Sequence, residues 1–133
     1  MIDVNRLTAI PIFAELSAEE ARRLATFATE TSAADGQILM KEGDYSVELI
    51  AIEEGTAEVL RGGRTIASLG PGDLIGEMGL LERRPRNADV IASSPMRLLR
   101  LTHWEIRRMS DETVSRIEAI VRQRRQADGD RSA

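Results

Sequence analysis

Gly76, Glu77, Gly79 and Arg86 fall close together in the stretch GPGDLIGEMGLLERRPRNADV, which runs from Gly70 to Val90. Gly76 and Gly79 let backbone approach a ligand, because no Cβ stands in the way. Residues 77–82 are expected to make one helical turn, and its first N–H groups lack partners inside the turn. Such an end, with glycines beside it, is an anion site. Arg86 adds a planar fork of donors that suits phosphate oxygens. Glu77 must do something else. A carboxylate repels phosphate but accepts hydrogen bonds from hydroxyls, and a ribose hydroxyl fits. Taken alone, these residues read as a site for an anion joined to a polyol.

Other chemistry finds less support. His103 is the lone histidine and there is no cysteine, so a transition-metal site and thiol or disulfide chemistry are not expected. Ser93, His103 and Asp89 could formally make a hydrolytic triad, but no serine sits in a nucleophile elbow. His103 is read as a solvated residue in the opening turn of a helix. Arg83 and Arg84 are read as a solvated rim that adds positive field to the phosphate site. Trp104 is expected in the core between strands and helices.

The chain has 133 residues and a formal net charge of −4, enough for one domain and too acidic for a duplex-binding face. It contains no run of about 18 apolar residues that would span a membrane. Its start, MIDVNRLTAIPIF, lacks the pattern of a secretory signal. A cytoplasmic location, with no nucleic-acid or membrane partner, is the expectation.

The elements that position the loop follow from pattern. Residues 3–30 are predicted helical. A short turn forms at Ile10–Phe13, and Ser17 with Glu20 makes a capping box. Leu24, Phe27 and Ala28 form one stripe, in a helix ending near Thr31. Residues 31–101 change to short strands and glycine turns, including Glu42-Gly43-Asp44, Gly55 and the hairpin linker Gly62-Gly63. Many short strands with regular turns predict a jelly-roll β-barrel. The fold class is therefore mainly β, a jelly-roll barrel with an N-terminal helical segment and C-terminal helices. Those helices occupy 102–127, with a second capping box at Thr102 and Glu105 and a last helix from Ser110. Val114, Ile117, Ile120 and Val121 give the last helix its apolar stripe. Residues 128–133 are expected to form a disordered tail, leaving one domain over 1–127.

Gly76-Glu77-Met78-Gly79-Leu80, a five-residue gap, then Arg86-Asn87-Ala88 and Val90, resembles the phosphate-binding cassette of the cyclic nucleotide-binding domain family. That family includes sensor domains of catabolite activator proteins, protein kinase A regulatory subunits and gated channels. The resemblance covers about residues 5–125. It implies a non-enzymatic sensor of a cyclic nucleotide, cyclic AMP ahead of cyclic GMP, with no further cofactor. It implies that Arg86 pairs with the cyclic phosphate and Glu77 with the ribose 2′-hydroxyl. Gly76, Met78, Gly79, Asn87 and Ala88 would line the sugar-phosphate. Val47 and Leu49 are candidates to face the base. Asn87 departs from the usual Ser, Thr or Ala and leaves the choice of base open. Partners implied are the nucleotide, an unidentified downstream effector and a second copy of the chain. A different reading keeps the fold but makes the chain a dimerising or scaffolding module with a vestigial pocket. The last helix is expected to close over the pocket as a lid, with packing on a second copy or permanent packing on the barrel as competitors.

Overall fold

A computed structural model of the protein describes residues 2–45, 47–76 and 85–128, with side chains as far as residue 123. Three short helical pieces come first: α1 (Val4–Thr8), a 3-10 turn (Pro11–Phe13) and α2 (Ala18–Phe27). Asp3 caps α1 by accepting from the Asn5 N–H at 2.8 Å. The capping box on α2 is complete: Ser17 accepts from the Glu20 N–H, and Glu20 accepts from the Ser17 N–H. The helix stops at Phe27, earlier than its pattern suggests. Ala28 is already extended, and Thr29 and Thr31, both β-branched, lie in the strand that follows. Phe27 lies outside the buried stripe, whereas Leu24 and Ala28 are buried within it.

Among the described residues eight strands follow: β1 (Thr29–Ala33), β2 (Ile38–Met40), β3 (Glu48–Glu54), β4 (Ala57–Arg61), β5 (Arg64–Leu69), β6 (Leu74–Ile75), β7 (Asp89–Ala92) and β8 (Met96–Thr102). They form two antiparallel four-stranded sheets, ordered β1-β8-β3-β6 and β2-β7-β4-β5. The jelly-roll expectation holds in the form of two facing sheets that hydrogen-bond separately, not one closed ladder. Gly62 and Gly63 both have positive φ and link β4 to β5. At Gly55, before β4, φ is +93° and a Cβ would stand 2.3 Å from the Pro95 carbonyl oxygen. Only glycine fits there.

The first sheet is covered on both faces, and its strands alternate between two cores. Leu49 and Ala51 of β3, Leu74 of β6, and Leu99 and Leu101 of β8 face the helices, packing with Leu7, Phe13, Leu24 and Ile106. Ile50, Ile52, Ile75 and Leu98 face the second sheet, packing with Met40, Val59, Ala88 and Val90. The register explains the division, since Leu49 pairs with Leu101 and Ile52 with Leu98 across the ladder. Arg6 of α1 pins the helical layer to β3 through Glu53 at 2.6 Å and also meets Glu30 at 2.7 Å.

The chain ends in α3 (His103–Arg107) and α4 (Asp111–Asp128). Thr102 caps α3 by accepting from the Glu105 N–H at 3.0 Å. Ser110 accepts from the Thr113 N–H at 3.3 Å at the start of α4. The helix takes in residues 127 and 128, which the sequence placed at the edge of a disordered tail; residues 129–133 lie outside the described residues. Ile117, Ile120 and Val121 are buried in the core shared with α1, the 3-10 turn and α2. The stripe therefore rests on the N-terminal helical layer, a surface the lid and dimer expectations did not include. Glu20 of α2 adds a polar clasp, accepting from the Thr113 hydroxyl and the Arg116 guanidinium. The Thr113 bond first, then the bonds to Ser17, with the Arg116 charge adding a little, hold its carboxyl below the usual carboxylate range.

Candidate functional site

The Gly70-Pro71-Gly72-Asp73 turn docks on β3: Gly72 N–H donates to the Ile52 carbonyl at 2.8 Å, and Ile52 N–H to the Asp73 carbonyl at 3.0 Å. Asp73 also accepts from the Gly70 N–H at 2.8 Å, closing the turn on itself. The chain then passes through β6 to Gly76, which is buried with φ +81°. A side chain would be strained in that conformation, so glycine is required by the backbone itself. Glu77, Met78 and Gly79, the central predicted ligands, lie outside the described residues, as does the expected helical turn at 77–82.

The chain is described again from Pro85, and Arg86 is only 7% exposed. Its backbone is clamped on both sides by the Glu42-Gly43-Asp44 turn. Gly43 N–H donates to the Arg86 carbonyl at 2.8 Å, and Arg86 N–H donates to the Asp44 carbonyl at 2.7 Å. Asp89 completes the clamp by accepting from the Glu42 N–H at 2.6 Å. From sequence that segment reads as one of the glycine turns between strands. In the structure it also fixes where Arg86 stands, and Asp89, read above as a formal triad member, is one of its fasteners.

Asn87 is exposed, and its carbonyl and Oδ1 accept from Arg61 at 3.3 and 3.4 Å. Ala88 is fully buried in the core between the sheets, so its methyl group supports the loop from beneath. Val47 is 67% exposed just ahead of β3. Leu49 faces the helices, on the opposite side of β3 from Ile50 and Ile52. Its strand is buried on both faces, so composition could not fix which alternate residues point inward.

His103 corrects the sequence reading most. It is not a solvated helix residue: it is 6% exposed, and its ring meets the Gly76 carbonyl at 3.2 Å through Nε2. Its backbone N–H donates to the Val47 carbonyl at 2.9 Å. A carbonyl only accepts, so Nε2 carries the proton. Burial, the largest influence, pushes the ring's pKa down to about 4; Arg107 and Arg86 push the same way, against backbone hydrogen bonds to Gly76 and Glu48. The ring is neutral at neutral pH. The histidine that bonds to Gly76 at one end of the loop thus also feels the charge of Arg86 at the other. Trp104 is also corrected: it is 66% exposed, with the Arg108 Cζ 4.5 Å from its ring centre. The inward face of α3 belongs to His103 and Ile106, three residues apart.

Among the described residues no group of three or more His, Cys, Asp or Glu could hold a metal ion, and no helix is long and apolar enough to cross a membrane. A polar crevice of about 360 Å³ opens between α2 and α4, lined by Glu19, Glu20, Arg23, Glu112 and Arg116 among others.

A family model described as cyclic nucleotide-binding domain matches residues 30–113. The chain is 31% identical over 97 residues to a cAMP-dependent protein kinase regulatory subunit of Hypocrea atroviridis, covering 73% of this chain and 21% of that protein. It is 36% identical over 110 residues to Glutaminase 2 of Bradyrhizobium diazoefficiens, covering 80% of this chain and 18% of the relative. It thus spans about a fifth of the length of these relatives. Among solved structures, the N-terminal domain of a transcriptional regulator from Streptomyces coelicolor A3(2) superimposes with a TM-score of 0.76 at 28% identity, over 99% of both chains.

Proposed function

The chain belongs to the cyclic nucleotide-binding domain family, and we propose that it works as a sensor of cyclic AMP, ahead of cyclic GMP. In this reading it makes and breaks no bond. Arg86 pairs with the cyclic phosphate and Glu77 accepts from the ribose 2′-hydroxyl. Gly76, Met78 and Gly79 give backbone donors and close approach. Asn87 and Ala88 contribute from the rim and from beneath. Occupancy shifts the placement of α3 and α4, and that shift is the signal passed to an effector. The relatives include a kinase regulatory subunit and a glutaminase, so the effector is proposed to be a further domain or a separate protein.

One observation carries the reading: Arg86 is a buried arginine whose backbone is held by hydrogen bonds on both flanks, within the span the family model matches. A pre-set, largely desolvated cation suits a compact anion such as a cyclic phosphate. The test is ligand-linked stability. A ligand that binds only the folded chain adds RT ln(1 + [L]/Kd), about 2.7 kcal/mol at a hundredfold excess. Cyclic AMP should raise the melting temperature clearly, and linear AMP, with its extra charge and open geometry, should barely move it. No shift with either cyclic nucleotide at millimolar concentration would remove the sensor reading and leave the scaffolding one.

A further inference from the structure

His103 joins three parts of the molecule that the sequence keeps apart. Its backbone N–H is bonded to the Val47 carbonyl ahead of β3 at 2.9 Å. Its ring donates to the Gly76 carbonyl at 3.2 Å, where the candidate binding loop begins. The residue itself is the first of α3, directly after the Thr102 cap. The Gly76 carbonyl belongs to a planar peptide unit that also carries the next residue's N–H. Holding that carbonyl therefore aims a backbone donor of the loop. Gly76 sits at φ +81° with no side chain to restrict it, and the imidazole is one of the groups that hold its peptide plane. The same ring moves with α3, because it is part of that helix.

We infer that His103 is the positioning residue that couples the nucleotide loop to the C-terminal helices, through its ring bond to the Gly76 carbonyl. The inference rests on the sensor reading above. When nucleotide settles on the loop and turns the Gly76 peptide, the ring must follow or release it, and either response moves α3. Conversely, a displaced α3 removes this hold from the loop and weakens binding. That reciprocity is what linkage requires of two coupled sites.

The chain carries its own reporter. Trp104 is its single tryptophan, adjoins His103, and has the Arg108 guanidinium over its ring, so its emission responds to rearrangement of α3. The experiment titrates cyclic AMP into the full chain, its His103→Leu variant and its His103→Gln variant. Calorimetry reads affinity and Trp104 emission reads α3. Leucine fills space without donating, whereas the glutamine amide can donate to a carbonyl. His103→Leu should weaken binding about tenfold and lose most of the emission change, and His103→Gln should recover both to within about threefold. In the unmodified chain, nucleotide should slow hydrogen exchange at residues 103–108, a measurement that stands even if His103→Leu does not fold. Unchanged affinity and emission in His103→Leu, a glutamine variant no better than leucine, or binding that leaves residues 103–108 unprotected would each overturn the inference while the sensor reading survives. No heat of binding in the unmodified chain would instead remove the sensor reading, and the coupling with it.

Discussion

Acid should destabilise this protein through His103 before its carboxylates titrate. The histidine has a pKa near 6.5 in the unfolded chain and about 4 in the folded one, where burial keeps it neutral. Between those values the unfolded state binds the proton and the folded state refuses it, so stability falls as pH falls. The full difference is about 3 kcal/mol, at roughly 1.36 kcal/mol per tenfold change in proton affinity. Most of it is spent early: the same relation gives roughly 1 kcal/mol lost by pH 6 and about 2 kcal/mol by pH 5. Two kilocalories is a large share of a typical domain's stability. In urea it should lower the midpoint by about 1 M, given slopes of roughly 1–3 kcal/mol per molar. The assay is urea unfolding between pH 8 and pH 5, for the native chain and for His103→Gln. Because His103 is the lone histidine, the variant deletes this slope without touching another imidazole. The native midpoint should fall with acid, and the variant's should stay nearly level to pH 5. Parallel losses in both proteins, or an imidazole titration midpoint near 6.5 in the folded chain, would refute the burial argument.

Arg86→Ala should weaken cyclic AMP binding by about 2–5 kcal/mol, as loss of a desolvated charge partner does, while exposed Asn87→Ala should cost under about 1 kcal/mol; titration calorimetry separates them. Gly55→Ala should destabilise by at least about 2 kcal/mol in urea unfolding, since a positive φ strains the backbone and the added Cβ meets the Pro95 carbonyl at 2.3 Å. Glu20→Gln should loosen the clasp on Thr113 and Arg116 and speed hydrogen exchange at residues 111–121. Glu20 is held below the ordinary carboxylate range, so its contribution is complete above about pH 4.3 and lost as pH falls below that. An exchange difference between native chain and variant that persists undiminished at pH 3 would count against the clasp.

Much of the fold could be read because its signals are local. Ser17 and Glu20 three residues apart specify a cap wherever the chain goes. Gly62-Gly63 between alternating strands leaves few alternatives to a hairpin. The family could be recognised for the same reason, since the motif from Gly76 to Val90 lies within one segment of the sequence. The errors share a different cause. Which way Leu49 faces could not be read because β3 is apolar on both faces, so alternation gives no phase and register alone decides. Trp104 was placed inside because size and apolarity favour burial, yet α3 is five residues long and His103 with Ile106 take its inward face. His103 was called solvated because a lone histidine has no periodic neighbours; its position just after the Thr102 cap, where strand turns into helix, was the available clue. The clamp of Glu42, Gly43 and Asp44 on Arg86 joins residues more than forty apart, and only the β2–β7 pairing brings them together.

The layering also limits how a bound nucleotide could move the helices. The first sheet stands between them and the second sheet, packed on both faces, and close-packed interiors do not bend continuously. A message from the loop has to pass around that sheet, and the β8–α3 junction lies on such a route. Energy narrows the choice further. Ile117, Ile120 and Val121 of α4 are each 9% exposed or less, and fully exposing three such side chains costs roughly 1.5–3 kcal/mol apiece. Shifting a two-state equilibrium from 1:99 to 99:1 takes about 5.5 kcal/mol of differential binding. One small ligand that also had to strip this stripe into water would spend nearly all of that on exposure. A pivot of α3 that lets α4 exchange one apolar seat for another avoids the cost. Nucleotide-driven motion in this chain is therefore expected as a pivot about residues 102–110 with the stripe kept covered. In hydrogen exchange, residues 117–121 should stay protected with and without cyclic AMP, and the change should fall at 103–110.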